Sequence, residues 1–152
     1  MLIGNKETFA VEFTKSEDDQ RMGYGKLWLQ NAFLGTKEDL IYLNGYLVSL
    51  LNELIQAQTI SFDTGNKSSF EVFELIRSKN YRSDYAIVGS TFTDDFEIYA
   101  FKNEEKIVVF WRLYNQEMIF EELQQYPREI QTAQINQQEI EGVKEKLLNE
   151  IK

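Results

Sequence analysis

The stretch Lys106-Ile107-Val108-Val109-Phe110-Trp111-Arg112-Leu113-Tyr114 decides the fold. Its β-branched and aromatic content favours a strand. It is apolar at both odd and even positions, so both of its faces need cover. Val109 and Trp111 share one face, and Val108 and Phe110 share the other. This describes an interior strand of a sheet. Two further strand-like runs precede it, Tyr85–Phe92 and Phe96–Lys102. The connections are short and polar, Thr93-Asp94-Asp95 and Asn103-Glu104-Glu105, and such links join antiparallel neighbours. The pattern predicts a three-stranded meander.

On the C-terminal side, Glu117–Tyr126 reads as strand or helix. Glu129–Ile135 alternates Ile130, Thr132 and Gln134 with Gln131, Ala133 and Ile135, as a strand at a sheet edge would. Asn136, with Glu139 three residues on, has the form of a helix cap. Ile140, Val143, Leu147 and Ile151 then give the apolar stripe of a C-terminal helix.

On the N-terminal side, Leu2-Ile3 and Phe9–Thr14 are strand candidates around Gly4-Asn5. Ser16–Gly25 reads as a polar loop. Lys26–Gln30 alternates Leu27 and Leu29 against Lys26, Trp28 and Gln30. Ala32–Leu34 extends that strand or forms its own. The spacing of Leu43, Leu47, Leu50, Leu51, Leu54 and Ile55 predicts a helix from about Leu43 to Ala57. A second helix follows a Ser68/Glu71 capping box, carries Phe70, Phe73 and Ile76 and ends near Lys79-Asn80. Strands and helices are segregated rather than alternating. The expectation is α+β: an antiparallel, twisted sheet of about five to seven strands, with two or three helices mainly on one face. No repeat or linker divides residues 1–152, which read as a single domain.

Composition narrows the chemistry. The chain has no histidine and no cysteine, and its net charge is −9. Ser/His/Asp and Cys/His catalysis are therefore excluded, as are Cys/His zinc sites and disulfides. The charge is distributed: residues 1–66 hold 5 basic and 9 acidic side chains, and residues 67–152 hold 11 and 16. No Lys/Arg cluster suits a phosphate backbone, so no nucleic acid partner is expected. A basic protein would be attracted instead. The apolar window Leu40–Ile55 is broken by Asn44, Asn52 and Glu53 and is too short to span a bilayer. The N-terminus lacks the pattern of a signal peptide. A cytoplasmic location away from membranes is expected.

No motif specifies a cofactor or a metal. Glu17-Asp18-Asp19 lacks the spacing and the glycine of a calcium loop, and reads as a solvated or partner-facing acidic loop. Asp94-Asp95 and Glu104-Glu105 suit tight turns. Gly23-Tyr24-Gly25-Lys26 is followed by Leu27 in a strand rather than by Ser/Thr and a helix, so it is not a phosphate loop. A glycosidase-like pair of facing carboxylates is not legible. The aromatic residues are more telling. Tyr and Trp are more numerous than a core needs, and both are favoured at protein interfaces. Trp28, on the polar side of its strand, is either an exposed anchor or the cover for a second layer. The candidate partner-binding residues are Glu17, Asp18, Asp19, Tyr24, Trp28, Asp94 and Asp95; none is catalytic. A small-ligand or regulatory domain with an aromatic-lined pocket is the alternative.

Several blocks resemble bacterial immunity protein family 42: Met1-Leu2-Ile3-Gly4, Phe9-Ala10-Val11-Glu12-Phe13, Gly25-Lys26-Leu27-Trp28-Leu29, Leu34-Gly35 and Asp39-Leu40 before the leucine-rich helix. The resemblance implies a non-enzymatic cytoplasmic protein of a polymorphic toxin system. It would be encoded beside a toxin and would bind and neutralise that toxin's effector domain, with a basic nuclease as one suitable target. Its active form would be a monomer or a homodimer, and the edge at Glu129–Ile135 suits homodimer pairing or toxin docking equally.

Overall fold

A computed structural model describes residues 1–78, 81–88, 91–115, 117 and 120–151. The N-terminal sheet contains β1 (Leu2–Asn5), β2 (Phe9–Lys15), β3 (Met22–Leu29), β4 (Ala32–Leu34) and the two-residue β5 (Ile41–Tyr42). β1, β2, β3 and β4 are neighbours in that order, and β5 also pairs with β3; every pairing is antiparallel. β3 begins at Met22, earlier than the alternation of Lys26–Gln30 indicates. Its inward positions Gly23 and Gly25 hide the strand pattern, because they leave room for a helix. A Cβ on Gly23 would lie 2.3 Å from the Thr14 carbonyl oxygen and 3.1 Å from Leu43, and one on Gly25 would lie 3.3 Å from Leu47.

Those leucines belong to the predicted helix, which starts at Leu43. Its first part, Leu43–Val48, is a π-helical turn, and it continues as α1 (Ser49–Ile55). The Tyr42 ring lies against Gly45, where a Cβ would be 2.6 Å from it. α2 (Ser69–Ser78) follows the expected cap. The Glu71 N–H donates to Ser68 Oγ at 3.2 Å, and that hydroxyl donates to the Glu71 carboxylate. The end expected at residues 79–80 lies outside the described residues.

The C-terminal sheet is β6 (Phe96–Asn103), β7 (Lys106–Leu113) and β8 (Gln131–Asn136), in that order and antiparallel. β7 is the interior strand. Its Ile107, Val109, Trp111 and Leu113 enter the large core between the sheets, with α1 and α4 (Gln137–Glu150). Its Val108 and Phe110 enter a second core with Tyr99, Phe101 and the Val72, Phe73 and Ile76 face of α2. α4 is capped as predicted at Asn136, whose side chain accepts from the Gln138 N–H. Glu139 accepts instead from the Thr8 hydroxyl.

One expected strand is corrected. Tyr85 ends a short helix, α3 (Arg82–Tyr85), and Thr91–Thr93 is a 3₁₀ turn; residues 89–90 lie outside the described set. From this stretch an isolated bridge from Ala86 to Tyr99 and the Ile87 N–H bond to the Ile98 carbonyl meet the edge of β6. Tyr85 is drawn out of strand geometry because its ring packs in the second core while its hydroxyl meets Ser61. The third strand of the meander is β8. The ambiguous stretch 117–126 contains a 3₁₀ turn, Glu121–Leu123, with residues 118–119 outside the described set. The expected α+β antiparallel class is therefore observed, with eight strands in two sheets and four α-helices among the described residues. A polar link crosses the core: Trp111 Nε1 donates to the Tyr126 hydroxyl at 2.8 Å, and that hydroxyl donates to the Phe33 carbonyl. Burial pushes the Tyr126 phenol up to about 12.

Candidate partner-binding surface

Alternation along the β2–β3 hairpin sorts the candidate residues. Odd positions point into the core, with Phe9, Val11, Leu27 and Leu29 almost fully buried. Even positions form the outer face, where the register pairs Ala10 with Trp28, Glu12 with Lys26 and Thr14 with Tyr24. β5 adds Tyr42 opposite Met22, and β4 adds Phe33 opposite Trp28. Tyr24 and Trp28 therefore share this face; the alternation of Lys26–Gln30 predicts this for Trp28, whereas Tyr24 falls in the stretch expected to be a loop.

The Trp28 end of the face is tied together internally. Trp28 Nε1 donates to Glu12 at 2.9 Å, Lys6 Nζ lies 4.3 Å from the ring centroid, and Phe33 meets the ring edge-on. Lys26 Nζ lies 4.2 Å from the Phe33 ring centroid and pairs with Glu122 at 2.6 Å. Glu122 also accepts from the Thr36 hydroxyl and the Lys37 N–H, at 3.0 and 2.8 Å. Lys37 Nζ returns to Glu12 at 3.1 Å. Burial pushes the Glu122 carboxyl up, but the bonds from Lys26, Lys37 and Thr36 outweigh it and hold the carboxyl below its ordinary range. Glu12 is depressed in the same way, by Trp28, Lys37 and Lys6 against its burial. Trp28 is thus half-buried and held on several sides, which makes it a fixed part of the scaffold.

The acidic loop lies at the other end of the hairpin. Met22 to Trp28 spans about 20 Å at ~3.3 Å per strand residue. Glu17 and Asp18 are exposed and make no ion pair with a described residue. Asp19 is engaged by Arg21, whose guanidinium donates at 3.1 and 2.9 Å and whose backbone N–H donates at 3.0 Å. Hydrogen bonds from Arg21 lower the Asp19 carboxyl.

Asp94 and Asp95 lie before β6 and form a separate group. Asp95 is buried, accepts from the Asn115 side-chain amide at 2.5 Å, and its carbonyl receives the Tyr114 N–H. It fastens the start of β6 to the end of β7. Asp94 is exposed. Its carboxyl is raised by partial burial, then by the charges of Asp95 and Asp39. The structure does not unite the seven candidates into one cluster.

Sequence reasoning missed Glu12, Lys26 and Glu122, and also Tyr42. Lys26 and Tyr42 carried signals, in the alternation and in the surplus of aromatic residues. Glu122 lies 96 residues from Lys26 and has no local signature. A polar cleft of about 280 Å³ is lined by Arg77, Arg82, Glu97, Tyr99 and Tyr114. Among the described residues no acidic group is arranged to hold a metal, and no helix is long and apolar enough to cross a membrane.

The same fold occurs in the crystal structure of CdiI from Burkholderia dolosa AUO158. That structure aligns with a TM-score of 0.66 over 99% of each chain, at 14% identity. No curated protein matches the sequence. The family described as immunity protein 42 matches residues 1–150. The match spans both sheets and all four helices, and the chain belongs to the immunity protein 42 family.

Proposed function

We propose that this protein binds the effector domain of a cognate toxin, encoded beside it, and blocks that domain's active site by steric and electrostatic occlusion in the cytoplasm. It acts by binding, not by turnover. The observation that carries this is the family match over residues 1–150. The net charge of −9, spread over the chain, supports a basic toxin, a nuclease among them. Glu17, Asp18, Tyr24 and Asp94 are the candidates free to face it. Asp19, Trp28 and Asp95 are committed to partners within the fold and shape the surface around them.

The test is co-expression with the C-terminal domain of the large secreted protein encoded next to this chain. Cells should survive, and the two proteins should co-purify. The association rate should fall as salt rises, because exposed charges are screened over ~10 Å at 0.1 M ionic strength. Unchanged killing without co-purification would refute the proposal.

A further inference from the structure

We propose that the toxin docks on the outer face of the N-terminal sheet, at the half nearest the β2–β3 loop, with Tyr24 and Tyr42 at its centre. This rests on the immunity function proposed above and adds where the partner sits.

Exposure is the first reason. Eight large apolar side chains are exposed among the described residues, and five of them are Met1, Leu2, Leu40, Tyr42 and Tyr46. Of these five, Leu2 and Tyr42 lie on the outer face of the sheet, opposite Glu12 and Met22; Met1 lies opposite the core-facing Phe13, and Tyr46 is on the π-helical turn Leu43–Val48. β1 and β5 flank the hairpin, so Leu2 and Tyr42 lie on one face, roughly 20 Å apart: three ~4.8 Å strand spacings across the sheet and four residues of ~3.3 Å along it, since Leu2 is level with Lys26 and Tyr42 with Met22. Thr14 and Tyr24 pair between them, and Met22 pairs with Tyr42. The face is closed over Lys26 by Glu122; Leu2, level with Lys26, is 46% exposed at the β1 edge, and at the loop end Tyr42 is 44% exposed. Tyr42, with the half-buried Met22 and Tyr24 beside it, forms an apolar patch at the loop end, and such surface marks interaction sites.

Charge is the second reason, and it selects the occupant. Glu17 and Asp18 stand at the rim without an ion pair among the described residues, whereas Arg21 is neutralised by Asp19. Lys15 continues the odd, core-facing positions of β2 and so points away from this face. A patch of tyrosines beside unpaired carboxylates fits a partner surface with Arg or Lys around an apolar centre. The carboxylates pair with the cations, and the rings receive them on their faces. Other surfaces fit less well. Phe70 lies on α2, away from the sheet's outer face, Tyr114 borders the cleft of Arg77 and Arg82, and Gln30 bonds the edge of β8.

The experiment measures affinity of the full chain for the toxin domain. Tyr42→Ala should weaken binding roughly 30-fold, the scale of an interface hot spot. The double variant Glu17→Lys/Asp18→Lys touches no buried group. It should slow association and flatten its salt dependence, with the thermal midpoint unchanged. Phe70→Ala should bind within ~2-fold of wild type. If wild type protects cells and both surface variants still bind within ~3-fold, the docking face is wrong while the immunity function stands. If Tyr42→Ala abolishes a self-association and leaves toxin binding intact, the face belongs to a second copy and the proposal is overturned. A wild-type chain that neither binds nor protects would overturn the function and the docking face together.

Discussion

The side-chain amide of Gln30 bonds both backbone groups of Gln134: Gln30 Nε2 donates to the Gln134 carbonyl at 3.3 Å, and the Gln134 N–H donates to Gln30 Oε1 at 3.4 Å. Gln134 belongs to β8, which has β7 on one side only. Gln30 therefore supplies on the free side what a neighbouring strand would supply. It joins the tip of the β3–β4 turn to the other sheet and occupies an edge that would otherwise be open to pairing. The edge expected to serve homodimer pairing or toxin docking is closed at its centre.

The first prediction separates this amide from the strain of its backbone. Gln30 and Asn31 both have positive φ, 51° and 72°, as a two-residue I′ hairpin turn requires. Gln30→Ala loses the amide and keeps the strain. Gln30→Gly loses the amide and relieves the strain. Both bonds are long, so the loss for Ala is about 0.5–1 kcal/mol. Urea unfolding should rank wild type above Gly and Gly above Ala. Equal stability of Ala and wild type would show that the amide contributes nothing.

Glu122 predicts acid sensitivity. Its folded carboxyl lies below the ordinary value of 4.5, so the folded state binds its proton less readily than the unfolded chain does. The stabilisation is complete above 4.5 and is lost as pH falls below it through the depressed folded value. Glu122→Gln should remove this dependence. At neutral pH the variant should lose about 3 kcal/mol or somewhat less, because Lys26 is left buried without its partner while Glu122 itself is partly exposed. Urea midpoints measured from pH 7 to pH 3 should converge for the two proteins. Parallel curves would contradict the assignment.

Asp94 predicts the opposite sign. Its folded carboxyl lies above 3.8, raised by partial burial and by Asp95 and Asp39. Such a group costs stability at pH values above its raised folded value, and the cost disappears as pH falls toward 3.8. Asp94→Asn should therefore raise the thermal midpoint at neutral pH, with the gain vanishing in acid. A lower midpoint at neutral pH would mean that Asp94 is stabilising.

These sites show why the sequence was informative in some places and silent in others. α2 and α4 were legible because Ser68 and Asn136 act within three residues of themselves. β7 was legible because apolar residues on both faces leave it no place but an interior. The division into two sheets was not legible. It depends on β8 forming the meander's third strand while Arg82–Tyr85 is helical, and register between distant segments leaves no local trace. The acidic loop and Tyr24 were visible as residue types. The Lys26–Glu122 pair and the Gln30–Gln134 bond, 96 and 104 residues apart, were not. Glycines at the inward positions of β3 even disguised a strand as a loop.

Trp28 provides the sharpest separation of scaffold from binding surface. Its indole N–H is satisfied by Glu12, and its ring is held by Lys6 and Phe33. Trp28→Phe keeps most of the ring contact but leaves Glu12 without one donor. The cost should be about 1–2 kcal/mol, within the range for an unpaired, partly buried polar group. Trp28→Ala also removes the ring and should cost ~3 kcal/mol or more. If the toxin docks around Tyr24 and Tyr42, about 13 Å and about 20 Å away by the rise of β3, neither change should alter affinity by more than ~3-fold in folded protein. Calorimetric unfolding and titration with the toxin domain would measure the two effects separately. Affinity lost from Trp28→Phe at unchanged stability would move the docking surface to the Trp28 end of the sheet. It would make the indole the anchor that its place on the polar side of β3 first suggested.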